Sequence, residues 1–196
     1  MKYLDLTMPI NERTPVFPGD PSHEIIQLTT IEKDGWNKKG LTITSHFSTH
    51  IDAPSHRISG GKTLSDFPIE KFVGPCIVLS LSKPDLSLVK ENDIVFFFSG
   101  VTEKLYKKDF FDKNPVISEE LAHQLVAKKV KIVGIDAPSP DDDPYPIHSI
   151  LLPKDILIVE NLMHLRKLVG KRFECFIFPL NIEEGDGAPC RVIAKI

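Results

Sequence analysis

His46-Phe47-Ser48-Thr49-His50-Ile51-Asp52-Ala53-Pro54-Ser55-His56 packs three of the chain's seven histidines and one carboxylate into eleven residues. His46, His50, Asp52 and His56 share even parity, so an extended backbone points all four the same way. Extension also separates them: four residues at ~3.3 Å each hold His46 and His50 ~13 Å apart, too far to share an ion bound at ~2 Å. A helix makes neighbours of the two histidines but turns Asp52 away. Pro54 stops any helix from running through the stretch. A shared metal therefore demands a bend between His46 and Asp52, and Ser48 sits where that bend falls. Histidine together with carboxylate suits zinc, manganese or iron better than calcium or magnesium, which favour all-oxygen shells.

Around this stretch the chain alternates short apolar runs with turn residues. Sixteen prolines and eleven glycines punctuate 196 residues, 41% of them hydrophobic, which reads as one strand-rich domain spanning 1–196. Strands are expected at Tyr3–Leu6, Glu24–Thr30, Leu41–Ser45, Cys76–Leu81, Asp93–Phe98, Lys131–Asp136, Ile156–Val159, Phe173–Phe178 and Arg191–Ile196. The third of these runs straight into the histidines. The clearest helix is Ser118–Lys129, with Ser118 as its cap and Glu119 and Glu120 in its first turn. Pro146–Leu152 reads as a short helical turn. Many strands with few helices give an α/β or α+β chain with a mixed sheet, barrel-like in outline.

Two distant residues are candidates to complete a site: His148 in the short helical turn, and Glu160 at the end of an apolar strand. His23, His123 and His164 have no clustered partners, and Asp141-Asp142-Asp143 reads as a hydrated loop. A net charge of −3 with interspersed signs provides no basic stripe for nucleic acid. No apolar run approaches the ~20 residues that span a bilayer. No signal peptide is visible, and three unpatterned cysteines, Cys76, Cys175 and Cys190, read as reduced thiols of a cytoplasmic protein. Nucleophile elbow, phosphate loop and dinucleotide fingerprint are all missing.

These residues resemble the cyclase superfamily of metal-dependent hydrolases, which includes bacterial kynurenine formamidase and isatin hydrolase. The signature His-x-Gly-Thr-His-x-Asp-x-Pro-x-His is matched at His46, Thr49, His50, Asp52, Pro54 and His56, with Ser48 in place of the glycine. Asp5–Ile10, Pro15–Asp20, Gly134–Ser139, Val159–Leu162 and Gly187–Arg191 resemble further family segments in the same order. The resemblance implies a swivelling β/β/α fold and two divalent ions, zinc first and manganese second. His46, His50 and Asp52 would hold one ion; His148, Glu160 and a shared Asp52 the other; His56 would be the general acid/base. Two ions sharing a carboxylate lower the pKa of a bridging water toward ~7.

The implied reaction is hydrolysis of a C–N amide bond in a small molecule, an aryl formamide such as N-formylkynurenine. The alternatives are a cyclic amide such as isatin, or a metal- or ligand-binding homologue without catalysis. A homodimer or homotetramer is implied as well. Phe17 stands where the formamidases carry a tryptophan against the substrate ring, which places it in the substrate site. If the backbone at Ser48 has positive φ, a serine there costs ~1–2 kcal/mol.

Overall fold

Residues 1–196 are described by a computed structural model, in which the apolar runs close a sheet on itself. In chain order the elements are β1 (Tyr3–Asp5), β2 (Glu24–Thr29), α1 (Ile31–Asp34), β3 (Lys38–Thr42), β4 (His50–Asp52), β5 (Val73–Ser80) and β6 (Ile94–Phe98). Then follow α2 (Glu119–Ala127), β7 (Ile132–Ile135), α3 (Pro146–Leu151), β8 (Leu157–Glu160), β9 (Arg172–Pro179) and β10 (Gly187–Lys195). β5, β6, β7 and β8 are parallel neighbours. β4, β10 and β9 complete the ring with antiparallel pairings, and β9 returns to β5. The result is the expected α/β fold with few helices, its mixed sheet a closed barrel of seven strands. β1 extends the ladder along β10.

Period-two alternation divides the apolar residues between two cores. Ile51, Val78, Phe96, Ile132, Leu157, Val159, Cys175, Ile177 and Val192 fill the barrel. Their sequence neighbours Ile77, Val95, Phe97, Val133 and Ile158, with Ile135, face outward, under Leu121 and Leu125 of α2 and Ile147 and Leu151 of α3. Continuous apolar runs in β6 and β7 are thus strands buried on both faces. All three cysteines are free and buried. No helix is long and apolar enough to cross a membrane.

Two expectations need correction. The strand anticipated at Leu41–Ser45 ends at Thr42, as β3 of a separate two-stranded sheet with β2, and does not run into the histidines. The chain turns through Ser45–Thr49 before pairing again as β4. The last strand starts at Gly187, four residues before Arg191, because its first half pairs with β4 and its second with β1.

Candidate metal centre and active site

β4 puts Ile51 into the barrel, so His50 and Asp52 on either side of it must face outward. In the antiparallel ladders His50 lies opposite Glu160 of β8, and Asp52 lies opposite Gly187 of β10. Two adjacent strands, β4 and β8, therefore present His50, Asp52 and Glu160 on one outer face, and α3 lowers His148 onto it. All four are buried. His50 Nε2 lies 3.4 Å from Asp52 Oδ1 and 3.3 Å from Glu160 Oε2. His148 Nε2 is 3.7 Å from Asp52 Oδ2 and 3.6 Å from Glu160 Oε1.

His46 reaches this face because the chain bends at Ser48, whose φ is 61°. The left-handed turn folds the His46 ring back over β10, with Nδ1 2.7 Å from Asp52 Oδ1. Gly187 leaves room for it: a Cβ there would stand 2.5 Å from His46 Cε1. Shared parity was a misleading clue, since the bend and not an extended strand gathers the histidines. Ser48 Oγ donates to Met8 O, and Met8 N donates to Thr49 Oγ1, so the opening segment braces the turn. The turn also aims Ser48 O inward, where it accepts from His50 Nδ1 and Asn161 Nδ2.

Three triads of donor atoms result, the buried His46–His50–Asp52 and Asp52–His148–Glu160 and the half-buried His46–His56–Asp186 at the rim, each with its atoms within 4.8 Å of one another. Asp52 belongs to both of the buried ones. Its Oδ2 is buried with no hydrogen-bond partner, because His148 Nε2 stands too far off to donate. A buried carboxylate oxygen left bare is costly unless a cation meets it. Burial opposes ionising Asp52, but the three surrounding histidines hold its carboxyl well below the usual range. Burial likewise opposes protonating His46 and His148, yet facing carboxylates lift them to about 9 and about 12. The cluster demands positive charge, and its mixed nitrogen and oxygen donors fit two divalent ions.

His56 follows Pro54 in a single 3-10 turn and stands at the rim, its ring centre 3.9 Å from that of His46 and 6.0 Å from that of His148. Burial, with the neighbouring histidines adding to it, pushes His56 below its ordinary value. Above the cluster opens a cleft of 440 Å³, walled by Phe17, Phe47, Phe111, Tyr145 and Arg57. Phe17 meets Phe111 edge to face at 5.8 Å, and Arg57 stacks on Tyr145 at 4.9 Å.

All seven residues singled out from the sequence, His46, His50, Asp52, His56, His148, Glu160 and Phe17, line this one cleft. Four others escaped that reading. Asp141, taken for part of a hydrated loop, is buried and bonds His148 Nδ1 at 2.7 Å. Asp186 bonds His46 Nε2 at 3.0 Å. Phe111 and Tyr145 come from loops whose course no local pattern reveals.

The chain that builds this barrel and its outer His/Asp/Glu cluster belongs to the cyclase family, whose sequence model matches residues 4–142. Over 99% of its length it is 32% identical to a kynurenine formamidase of Bacillus cytotoxicus and 30% identical to that of Bacillus anthracis, covering 97% of each. Its fold superposes with a TM-score of 0.89 on an isatin hydrolase bound to the product analogue thioisatinate, at 20% identity over all of this chain and 92% of that one. A potential metal-dependent hydrolase with cyclase activity matches at TM-score 0.81 and 28% identity, over 98% of this chain and 96% of that one.

Proposed function

We propose that the chain, acting as one domain over residues 1–196, is a metal-dependent hydrolase that cleaves a C–N amide bond in an aryl formamide such as N-formylkynurenine. The observation that carries this reading is the pair of donor triads meeting at Asp52, with one carboxylate oxygen left bare between them. His46, His50 and Asp52 would hold one divalent ion, and Asp52, His148 and Glu160 the other. Zinc is the first choice and manganese the second, since three imidazoles and two carboxylates suit both. Divalent ions bound there supply a water of lowered pKa and polarise the amide carbonyl.

The chain's own residues supply the rest. His56 is neutral at pH 7, because burial holds it below its ordinary value, so it can take a proton from the attacking water. It then delivers that proton to the leaving nitrogen, which departs as an amine. Phe17 and Phe111, set edge to face at the cleft mouth, offer an aromatic wall to an aryl substrate. The same wall would accept a cyclic amide such as isatin, so both substrates belong in the assay. Three free, buried thiols suit a reducing compartment, the cytoplasm. Exposed Ile26, Leu28, Ile31, Trp36 and Leu41 on the β2–β3 hairpin support a homodimer or homotetramer.

The test joins metal analysis to turnover of N-formylkynurenine, isatin and a small amide panel. We expect two ions per chain and hydrolysis of the aryl formamide. His56→Ala should keep both ions and lose about 10²- to 10⁴-fold in kcat. Unchanged turnover in that variant would remove His56 from its role. A metal-loaded protein inert to the whole panel would favour a binding protein without catalysis.

A further inference from the structure

A histidine offers an ion only one of its two nitrogens, and the partner of the other nitrogen decides which. Each of the three histidines in the two triads that share Asp52 has such a partner. His148 Nδ1 is 2.7 Å from Asp141 Oδ1, leaving Nε2 to face Asp52 and Glu160. His50 Nδ1 donates to Ser48 O at 3.0 Å, leaving Nε2 for the cluster. His46 is turned the other way. Its Nε2 bonds Asp186 Oδ2 at 3.0 Å, and its Nδ1 faces Asp52.

The two outer carboxylates are built differently. The Asp141 side chain is only 2% exposed. Its Oδ2 accepts from the backbone of Ile147 and His148 at the start of α3, so the carboxylate is pinned at both oxygens. The Asp186 side chain is 46% exposed, lies on the loop entering β10, and also stands 3.7 Å from His56 Nδ1. Besides Asp186 and Asp52, the His46 ring meets the half-buried His56 ring at 3.9 Å and the space that Gly187 leaves by lacking a side chain.

We infer that Asp141 and Asp186 are positioning residues, each orienting one ion's histidine, and that the difference in their anchorage makes the two ions unequal. The ion shared by His148, Glu160 and Asp52 is the tightly held one. The ion shared by His46, His50 and Asp52 is the exchangeable one. This rests on the two-ion reading above. Asp186 groups with His46 and His56 at the rim but stands off this ion: the buried donors His50 Nε2 and Asp52 Oδ1 converge on the opposite edge of the His46 ring from the one Asp186 meets.

Two measurements on the zinc-loaded full chain test it. Chelator competition should resolve a tight and a weak class of one zinc each. Asp141→Asn should weaken the tight class by about 10- to 100-fold, and Asp186→Asn should weaken the weak class by a similar factor while leaving the tight one alone. Variants that leave both classes within about threefold overturn the assignment, as does an Asp186→Asn that weakens the tight class. Long-range proton–nitrogen correlation spectra of the unaltered protein give the second readout, independent of whether the Asp141 variant folds. They should show the ring proton on Nε2 of His46 but on Nδ1 of His50 and His148. A proton on Nδ1 of His46 sinks the proposal. Unaltered protein that binds no zinc removes the two-ion reading itself, an outcome distinct from two zincs held with the wrong tautomers.

Discussion

Ser48 shows how a single backbone dihedral makes the centre. A left-handed conformation costs a non-glycine residue ~1–2 kcal/mol, and serine accepts it at φ 61°. Its hydroxyl recovers part of that through the buried bond to Met8 O, and its carbonyl gains two donors, His50 Nδ1 and Asn161 Nδ2. Ser48→Gly should therefore leave stability within about 1 kcal/mol, as relieved strain offsets one lost hydrogen bond of similar size. Ser48→Val has no such compensation. A β-branched side chain at this φ should destabilise by more than about 2 kcal/mol and loosen binding of the proposed divalent ion by moving the carbonyl off His50. Urea denaturation of both variants beside the parent checks the pair, and a valine variant as stable as the parent would refute the account of the bend. The need for a bend was legible in the sequence, from Pro54 and the reach of an extended chain. The partner carboxylates were not, because Asp186 stands 140 residues from His46 and nothing local marks the pairing.

Among the elements, those with a local physical signature were the readable ones. α2 has a capping serine whose side chain accepts from Leu121 N, and β5 and β6 are apolar runs between turns. β4 has only three residues, His50, Ile51 and Asp52, and becomes a strand through its neighbours β8 and β10. No propensity could have found it. The end of β7 carries a further consequence. Asp136 is buried there and accepts from the backbone of Ser99 and Gly100, yet burial prevails and raises its carboxyl to about 6. A carboxyl raised on folding favours the native state fully below its unfolded value, near 3.8, and loses that advantage as pH rises through 6. Compared with Asp136→Asn, which does not titrate, the parent should thus lose about 1.4 kcal/mol of relative stability between pH 5 and pH 8, the worth of the one unit separating pH 5 from the folded value. Both proteins share the metal centre, so its own linkage cancels in the difference. A pH-independent difference would mean that Asp136 stays ionised throughout.

At the scale of the molecule, closing the sheet removes the free edges of seven strands but leaves the β2–β3 hairpin outside the barrel as a separate ribbon. Two-stranded ribbons are marginal alone in water. This one carries Ile26, Leu28 and Leu41 along its strands and Ile31 and Trp36 at its turn, all exposed. An apolar ribbon of that kind is stabilised by being covered, and in a homo-oligomer the cover is a second copy. Its sequence betrayed the strand but not its solvent exposure, since the alternation at Glu24–Thr29 is the same for a half-buried strand and for one that awaits a partner. If the ribbon joins copies as proposed, Leu28→Lys combined with Trp36→Ser should give a monomer at micromolar concentration where the parent is an oligomer, read as mass by light scattering behind size exclusion. The barrel and its metal centre lie apart from the ribbon in the sheet order, so circular dichroism and zinc content should stay at the parent's values. An unaltered mass in the double variant, or a monomeric parent, would dissociate the hairpin from assembly. Loss of zinc together with mass would instead mean that the ribbon supports the cleft itself.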